Sequence, residues 1–165
     1  TTLFRSNMIL GRTDITLNET GIMQAKKLRD NIPYPIKYVI ASPLQRAAMT
    51  ANIVCENLNV EIKYDDRLME MDFGTFEGRD RTCEVYQKEK RNFFTRYPQG
   101  ESYFQVAQRV YNCLDEIIEK YSDGNVLIIT HNGICRVIRT YFDNISNEEF
   151  AQYSLKNCEL EVYHI

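Results

Sequence analysis

Short apolar runs alternate along the chain with longer segments of helical periodicity. Three runs rich in β-branched residues occupy Tyr38–Ala41, residues 60–64 and Val126–Ile129. They are too short for buried helices, so they predict strands that are covered on both faces. Weaker runs at residues 1–4 and 160–165 predict a first and a last strand.

Helix start signals occupy the intervals between these strands. Asn18 is a suitable N-cap, and Ser42-Pro43 offers a serine cap with proline at the first helical position. Ser102 and Ser146 each precede a glutamine or glutamate by three residues, which is the capping-box spacing. Helices are therefore predicted after residues 18, 102 and 146, and over about residues 42–57, 81–97 and 133–141.

The order of these elements indicates the fold class. Strands that alternate with helices are typical of an α/β fold, because parallel strands need a crossover connection. We therefore expect a three-layer sandwich with a mostly parallel central sheet and helices on both faces. No internal repeat or low-complexity linker divides the chain, so residues 1–165 are expected to form a single domain.

Composition and charge exclude several classes of function. The net charge of −3 is spread over interspersed signs, which predicts no nucleic-acid partner and no membrane-binding patch. No apolar run has the length of a membrane span, and no signal peptide precedes the first predicted strand. Five scattered cysteines without a Cys-x-x-Cys pair favour reduced thiols and a cytoplasmic protein. Neither a P-loop nor clustered carboxylates are present, so no cofactor or metal is expected.

Three polar side chains follow predicted strands, where ligands bind in open α/β sheets. His131 directly follows Val126–Ile129, and it either takes part in chemistry or merely caps the next helix. Arg46 lies in the first turn of a predicted helix, where a cation opposes the helix dipole but an arginine fork suits phosphate. Glu70 stands between apolar residues. It is either a solvated loop carboxylate or a buried acid with a raised pKa.

A site that joins an imidazole, a guanidinium and a carboxyl group suits a phosphate ester. Phosphoryl transfer requires positioning, charge stabilisation and a proton donor for the leaving oxygen. The sequence thus favours a small phosphorylated substrate, with phosphate as a second ligand of the same site.

Several motifs resemble those of one family, and they occur in its order over nearly the whole chain. The segment S-P-L-Q-R-A at residues 42–47 resembles the S-P-L-x-R-A element of the histidine phosphatase superfamily, which has the phosphoglycerate-mutase-like fold. The segment at residues 68–78 resembles its L-x-E-x-x-F-G-x-x-E-G loop. G-E-S at 100–102, T-H-N-G at 130–133 and G-R-x-D at 11–14 resemble three further elements, and the compact chain is similar to the small phosphatase branch.

The resemblance implies an activity and a role for each site residue. The chain would be a phosphomonoesterase that acts on a small metabolite through a phosphohistidine intermediate. Glu70 would be the general acid and base, His131 would stabilise the transferring phosphoryl group, and Arg46 would bind its oxygens. Asn132, through the backbone N–H after His131, would hold the same oxygens. Arg5 and Asn7 would match the ends of the N-terminal motif and also bind phosphate.

The chain departs from the family at the nucleophile. The family motif R-H-G-E-T-x-x-N carries the histidine that becomes phosphorylated, but here Arg5 is followed directly by Ser6-Asn7. We expect the physical protein to contain a short segment between Arg5 and Ser6 with a histidine before a glycine. The alternative is a true deletion, which would leave a catalytically inactive phosphate-binding protein. Cys135 is discounted as a substitute nucleophile, because it should point into the helix packing.

A phosphoglycerate mutase is the other enzymatic alternative. Against it, only residues 78–100 are available to cover the substrate, whereas mutases of the family carry a longer insertion there. The sequence leaves the substrate and the oligomeric state open.

Overall fold

The computed structural model describes residues 7–165, and the sheet in this part of the chain has three parallel strands. The strands are β1 (Tyr38–Ala41), β2 (Ile62–Tyr64) and β3 (Val126–Ile129). Their order is β2-β1-β3, so β1 lies in the middle. Ile40 of this central strand is aligned with Lys63 on one side and Ile128 on the other. The strand predicted over residues 1–4 lies outside the described residues.

Helices connect the strands, and their start signals are largely those read from the sequence. The helices are α1 (Glu19–Arg29), α2 (Gln45–Val54), α3 (Glu84–Glu89), α4 (Tyr103–Lys120), α5 (Asn132–Phe142) and α6 (Asn147–Gln152). The Asn18 side chain caps α1, and the capping boxes opened by Ser102 and Ser146 are both formed. Among residues 7–165, no helix is both long and apolar enough to cross a membrane.

The two faces of the sheet bury separate apolar clusters. Val39 and Ala41 of β1 pack with α1 and α2, where Ala25 and Ala51 are fully buried. Ile40 points the other way and packs in the cluster that includes the inner faces of α4 and α5. This alternation follows from the two-residue period of a strand. The predicted α/β sandwich, a mostly parallel sheet between two helix layers, is confirmed.

Two predicted elements are wrong. Residues 160–165 form no strand; side chains hold them instead, with Tyr153 donating a hydrogen bond to Glu161 and Tyr163 stacked on Phe142. Of residues 81–97, only Glu84–Glu89 is α-helical. Beyond that helix the aromatic rings leave its axis: Phe93 packs edge-on against Tyr103, and Tyr97 packs against Phe73 and Phe76. Burial of these rings outweighs the helical propensity of the charged segment.

The predicted start of α2 is also wrong. The helix begins at Gln45, not at Ser42, and ends at Val54. Its first N–H, from Gln45, is accepted by Asp14 Oδ1 at 2.7 Å, so the cap comes from a residue far away in sequence. Ser42 Oγ accepts a weaker hydrogen bond from the N–H of Leu44 at 3.3 Å, and it makes a second contact in the site described next.

Candidate active site

Glu70 and His131 meet at the carboxyl edge of the sheet. His131 follows β3, and Glu70 lies in the loop after β2; each is only 7% exposed. Glu70 Oε2 accepts a hydrogen bond from the backbone N–H of Gly133 at 3.1 Å, and Oε1 accepts one from Met71 N at 2.9 Å. The carboxyl group is therefore fixed to the first turn of α5, two residues beyond His131.

Burial raises the pKa of Glu70 above its usual value. The two backbone N–H groups and the charges of Arg46 and Arg109 oppose this shift, but the pKa remains raised. A raised pKa keeps more of the carboxyl group protonated near neutral pH, as a general acid requires. The other interpretation of Glu70 from the sequence, a solvated loop carboxylate, is therefore wrong.

Gly133 provides the space that Glu70 occupies. A Cβ at this position would lie 2.5 Å from Glu70 Oε1 and 3.2 Å from its carboxyl carbon. No side chain fits without displacing the carboxyl group, so the glycine sets how closely Glu70 approaches the start of α5.

His131 is held by Ser42 and does not cap α5. It occupies the N-cap position, yet its side chain makes no capping hydrogen bond. Instead Nε2 lies 2.7 Å from Ser42 Oγ, and Ser42 is fully buried. Burial and the positive charges of Arg46, Arg109 and Arg12 lower the pKa of His131 well below its usual value. The ring is therefore neutral at neutral pH.

Arg46 lies in the first turn of α2 and is fixed by the loop at residues 11–14. Nη1 donates to the carbonyl of Thr13 at 3.0 Å, and Nη2 donates to the carbonyl of Gly11 at 2.8 Å. Burial lowers the pKa of Arg46, and the charges of Glu70 and Asp14 oppose that effect. A guanidinium has five N–H donors, so these two bonds orient it without using all of them.

Glu77 organises the loop that holds Arg46. Its carboxylate accepts hydrogen bonds from the backbone N–H groups of Gly11, Arg12 and Thr13, and from the Thr13 hydroxyl at 2.6 Å. Burial acts to raise the pKa of Glu77, but these hydrogen bonds outweigh it, so the pKa is lowered. The sequence motif at residues 68–78 includes Glu77 but indicates no role for it.

An ion pair fixes the loop that carries Glu70, and the sequence interpretation missed one of its members. Arg109 of α4 donates to both carboxylate oxygens of Glu101 at 2.9 and 3.0 Å. The same guanidinium donates to the carbonyls of Arg67 at 2.5 Å and Glu70 at 3.3 Å. The available signal was the position of an arginine among buried apolar residues of α4.

The side chains of the remaining predicted phosphate ligands make other contacts. The Asn132 side chain donates to Ser154 Oγ at 2.9 Å and accepts from Leu155 N at 3.1 Å, so it anchors the segment after α6. Its backbone N–H, the group predicted to bind phosphate, directly follows His131. Asn7 is exposed, and its carbonyl accepts a hydrogen bond from Arg81 N at 2.7 Å. Arg5 lies outside the described residues. Glu70, His131 and Arg46 are the predicted side chains that the structure brings together.

A cavity of about 230 Å³ adjoins Glu70 on the side of α3 and α5. Its charged lining is mostly basic, and aromatic rings complete the wall. The residues concerned are Glu70, Arg81, Lys90 and Arg136, with Tyr86 and Tyr103. Over residues 7–165, no group of three or more histidine, cysteine, aspartate or glutamate side chains is arranged to hold a metal ion.

Comparison with known protein families assigns the class. The whole chain, residues 1–165, matches the model of the histidine phosphatase superfamily (branch 1). The protein belongs to this superfamily, and the resemblance seen in its motifs is confirmed.

Individual relatives include proteins named as phosphatases and proteins named as probable phosphoglycerate mutases. The chain is 30% identical over 131 residues to the uncharacterized phosphatase PhoE of Bacillus subtilis, an alignment that covers 79% of this chain and 66% of that protein, slightly under two thirds. It is 26% identical over 163 residues to phosphoserine phosphatase 1 of Hydrogenobacter thermophilus, covering 94% and 77% of the two chains.

A solved structure supports the fold. The mycobacterial glucosyl-3-phosphoglycerate phosphatase in complex with VO3 superposes with a TM-score of 0.83 at 20% identity, covering 93% of this chain and 81% of that one. At this level of identity the likeness shows the fold.

Proposed function

We propose that this protein hydrolyses a small phosphomonoester through a phosphohistidine intermediate. The observation that carries the proposal is the position of Glu70. Its carboxyl group, with a raised pKa, is bonded to Gly133 N beside His131 and lies in the field of the Arg46 guanidinium. This arrangement joins a proton donor to groups suited to hold phosphoryl oxygens.

The reaction would proceed in two displacements at phosphorus. In the first, a histidine nitrogen forms a bond to phosphorus while the bond to the ester oxygen breaks, and Glu70 gives its proton to the leaving oxygen. In the second, water attacks the phosphohistidine, Glu70 takes a proton from that water, and histidine and inorganic phosphate are released. Arg46 and neutral His131 would hold the equatorial oxygens in both steps, so water and ester are consumed to give alcohol and phosphate.

The nucleophile is proposed to lie in a segment between Arg5 and Ser6 that includes a histidine preceding a glycine. The described residues offer poor substitutes. The pKa of the Cys135 thiol is raised to about 12 by burial and by the charge of Glu70, so it stays protonated. Mass spectrometry of the proteolytic peptide that spans Arg5 and Ser6 tests this point. We expect additional residues between these two, and a peptide in which Ser6 directly follows Arg5 would leave a phosphate-binding protein without turnover.

Turnover of p-nitrophenyl phosphate is the direct test of the function. His131→Gln should reduce the release of phosphate, whereas His164→Gln should not, because His164 is exposed near the end of the chain. Acid-labile phosphate bound to the quenched enzyme would support the covalent intermediate. If 3-phosphoglycerate is converted to 2-phosphoglycerate without release of phosphate, the mutase alternative replaces the phosphatase.

A further inference from the structure

The cavity beside Glu70 has an unbalanced charge. Three cationic side chains line it, Arg81, Lys90 and Arg136, whereas Glu70 is the single carboxylate of its lining among residues 7–165. The raised pKa of that carboxyl group leaves even less negative charge to balance the cations. Arg81 is exposed at the rim of this half-open cavity, and like charges that line one cavity repel one another unless an anion joins them.

Arg136 is the most deeply buried of the three, with only 8% of its surface exposed. Nη1 donates to Tyr103 Oη at 3.2 Å, Nη2 donates to the carbonyl of Tyr153 at 2.9 Å, and the guanidinium lies over the ring of Phe150. All three contacts are uncharged, and within residues 7–165 Arg136 forms no ion pair. Its Nε is buried and has no hydrogen-bond partner among the described residues.

A buried arginine without a counter-charge is costly to the folded protein. Natural proteins pair such charges, because removing an ion from water loses several kcal/mol of hydration unless an opposite charge replaces it. Arg136 is therefore the kind of group that persists where a ligand supplies the missing anion.

Lys90 and Arg81 extend the basic lining toward α3. Lys90 is half-buried and forms no ion pair in the part of the chain that the structure describes. Burial lowers the pKa of Lys90, and the neighbouring charges of Arg136 and Arg81 lower it further. Arg81 Nε donates to the carbonyl of Met8 at 2.7 Å, again an uncharged partner. An anion bound here would relieve the repulsion felt by all three cations.

We propose that this cavity binds the leaving group of the substrate, and that the leaving group carries an anion of its own, a carboxylate or a second phosphate. The proposal rests on the proposed function in one respect: Glu70, which borders the cavity, faces the ester oxygen. Arg136 and Lys90 then recognise the remote anion, while the phosphoryl group that is removed sits on the Arg46 side of Glu70. The substrate class is thus a small acidic phosphomonoester.

Two substrates that differ in one group test the proposal. In 3-phosphoglycerate a carboxylate takes the place of the hydroxymethyl group of glycerol 3-phosphate. We expect kcat/KM for phosphate release to favour 3-phosphoglycerate by about 10- to 100-fold, the usual range for hydrogen bonds to charged groups. The second comparison measures the same kcat/KM for fructose 1,6-bisphosphate and fructose 6-phosphate. Together the two comparisons show whether a phosphate or a carboxylate is the preferred remote anion.

Variants connect the preference to the cavity. Lys90→Met should abolish most of the preference, and Arg136→Lys, which keeps the charge but loses the planar fork, should reduce it. Lys88→Met is the matched control, because Lys88 lies on α3 two residues before Lys90, is exposed and does not line the cavity. This control should retain both the preference and the activity of the parent.

The outcomes separate this proposal from the proposed function. An enzyme that hydrolyses p-nitrophenyl phosphate but treats both members of each pair equally would overturn the substrate class and leave the function intact. Full preference in Lys90→Met would also overturn it. If no phosphate ester is hydrolysed, the proposed function fails. Calorimetric measurement of the affinity for the same pairs of compounds then tests whether the cavity recognises a remote anion. Tighter binding of 3-phosphoglycerate that depends on Lys90 supports it, and equal binding of both compounds overturns it.

Discussion

The two sides of Glu70 differ in how their polar groups are satisfied. On one side the chain itself supplies the partners: Ser42 holds His131, and two backbone carbonyls hold Arg46. On the other side the Nε of buried Arg136 has no partner among the described residues, and Lys90 has no counter-charge there. The chain itself thus orients His131 and Arg46, whereas a ligand would complete the contacts of Arg136 and Lys90.

This difference indicates which part of the site suits any phosphoryl group and which part selects the substrate. Preorganised donors cost no reorganisation during a reaction, so the Arg46 side is suited to any phosphoryl group. On the cavity side, the rest of the substrate supplies the partners of the charged residues. Contacts there differ from one ester to another, so they set the substrate preference. Variants on the Arg46 side, at Glu70 itself and in the supporting loop test this difference between the two sides.

Glu70→Gln should have the largest effect, because the amide cannot supply the proton. We expect kcat for alkyl phosphates to fall by about 10²- to 10⁴-fold, the usual contribution of a positioned acid. The loss should be much smaller with p-nitrophenyl phosphate, whose leaving group needs no proton. Steady-state kinetics with both substrate types measures this, and an equal loss for both would remove Glu70 from the proton-transfer role.

Arg46→Ala should weaken binding on the preorganised side. Vanadate, a mimic of the transferring phosphoryl group, should inhibit the variant roughly 10- to 100-fold less strongly, since the lost contact is charge-assisted. Arg91→Ala, at an exposed position outside both sides of the site, is the control. Competitive inhibition constants provide the measurement. Unchanged inhibition of Arg46→Ala would exclude this arginine from the phosphate pocket.

Gly133→Ala should disturb the group between the two sides. Its Cβ would lie 2.5 Å from Glu70 Oε1, so the carboxyl group must move and lose its bond to the N–H of residue 133. That bond favours the ionised form, and its loss should shift the Glu70 limb of the pH–rate profile to higher pH, with kcat reduced by about tenfold. A pH–rate profile identical to that of the parent would show that this glycine does not position Glu70.

Glu77→Gln should have a smaller effect, on stability and its pH dependence. The pKa of Glu77 is lowered in the folded protein, so its contribution is fully present above the unfolded pKa and is lost as pH falls through the folded value. We expect the variant to lose about 1–3 kcal/mol at neutral pH, because its amide cannot accept all the N–H groups of residues 11–13.

Urea unfolding at several pH values measures this loss. The gap between parent and Glu77→Gln should narrow in acid, below the ordinary glutamate pKa. Glu61→Gln, at an exposed site just before β2, should show no such gap. A gap that stayed constant from neutral to acid pH would contradict the role assigned to the Glu77 carboxylate.

The sequence by itself determined the elements whose causes are local. The strands at Tyr38–Ala41 and Val126–Ile129 have the predicted bounds, because runs of β-branched residues signal burial within a few positions. The caps at Asn18, Ser102 and Ser146 formed as predicted, since each closes a hydrogen bond to a backbone N–H three residues on. The family motifs likewise marked Glu70, His131 and Arg46 before their positions were known.

Only the tertiary structure decided the contacts between residues far apart in the chain. Asp14 accepts the first N–H of α2 across 31 residues, and Ser42, besides accepting the N–H of Leu44, contacts His131 across 89 residues. No local pattern encodes such pairings, because they depend on how the strands and helices are brought together. The same holds for Arg136. The sequence places this residue on a helix, but only the packing of α5 against Tyr103 and Tyr153 buries its charge without an ion-pair partner among residues 7–165. Burial and charge pairing are properties of the assembled fold, so the cavity beside Glu70 could not be predicted from the sequence.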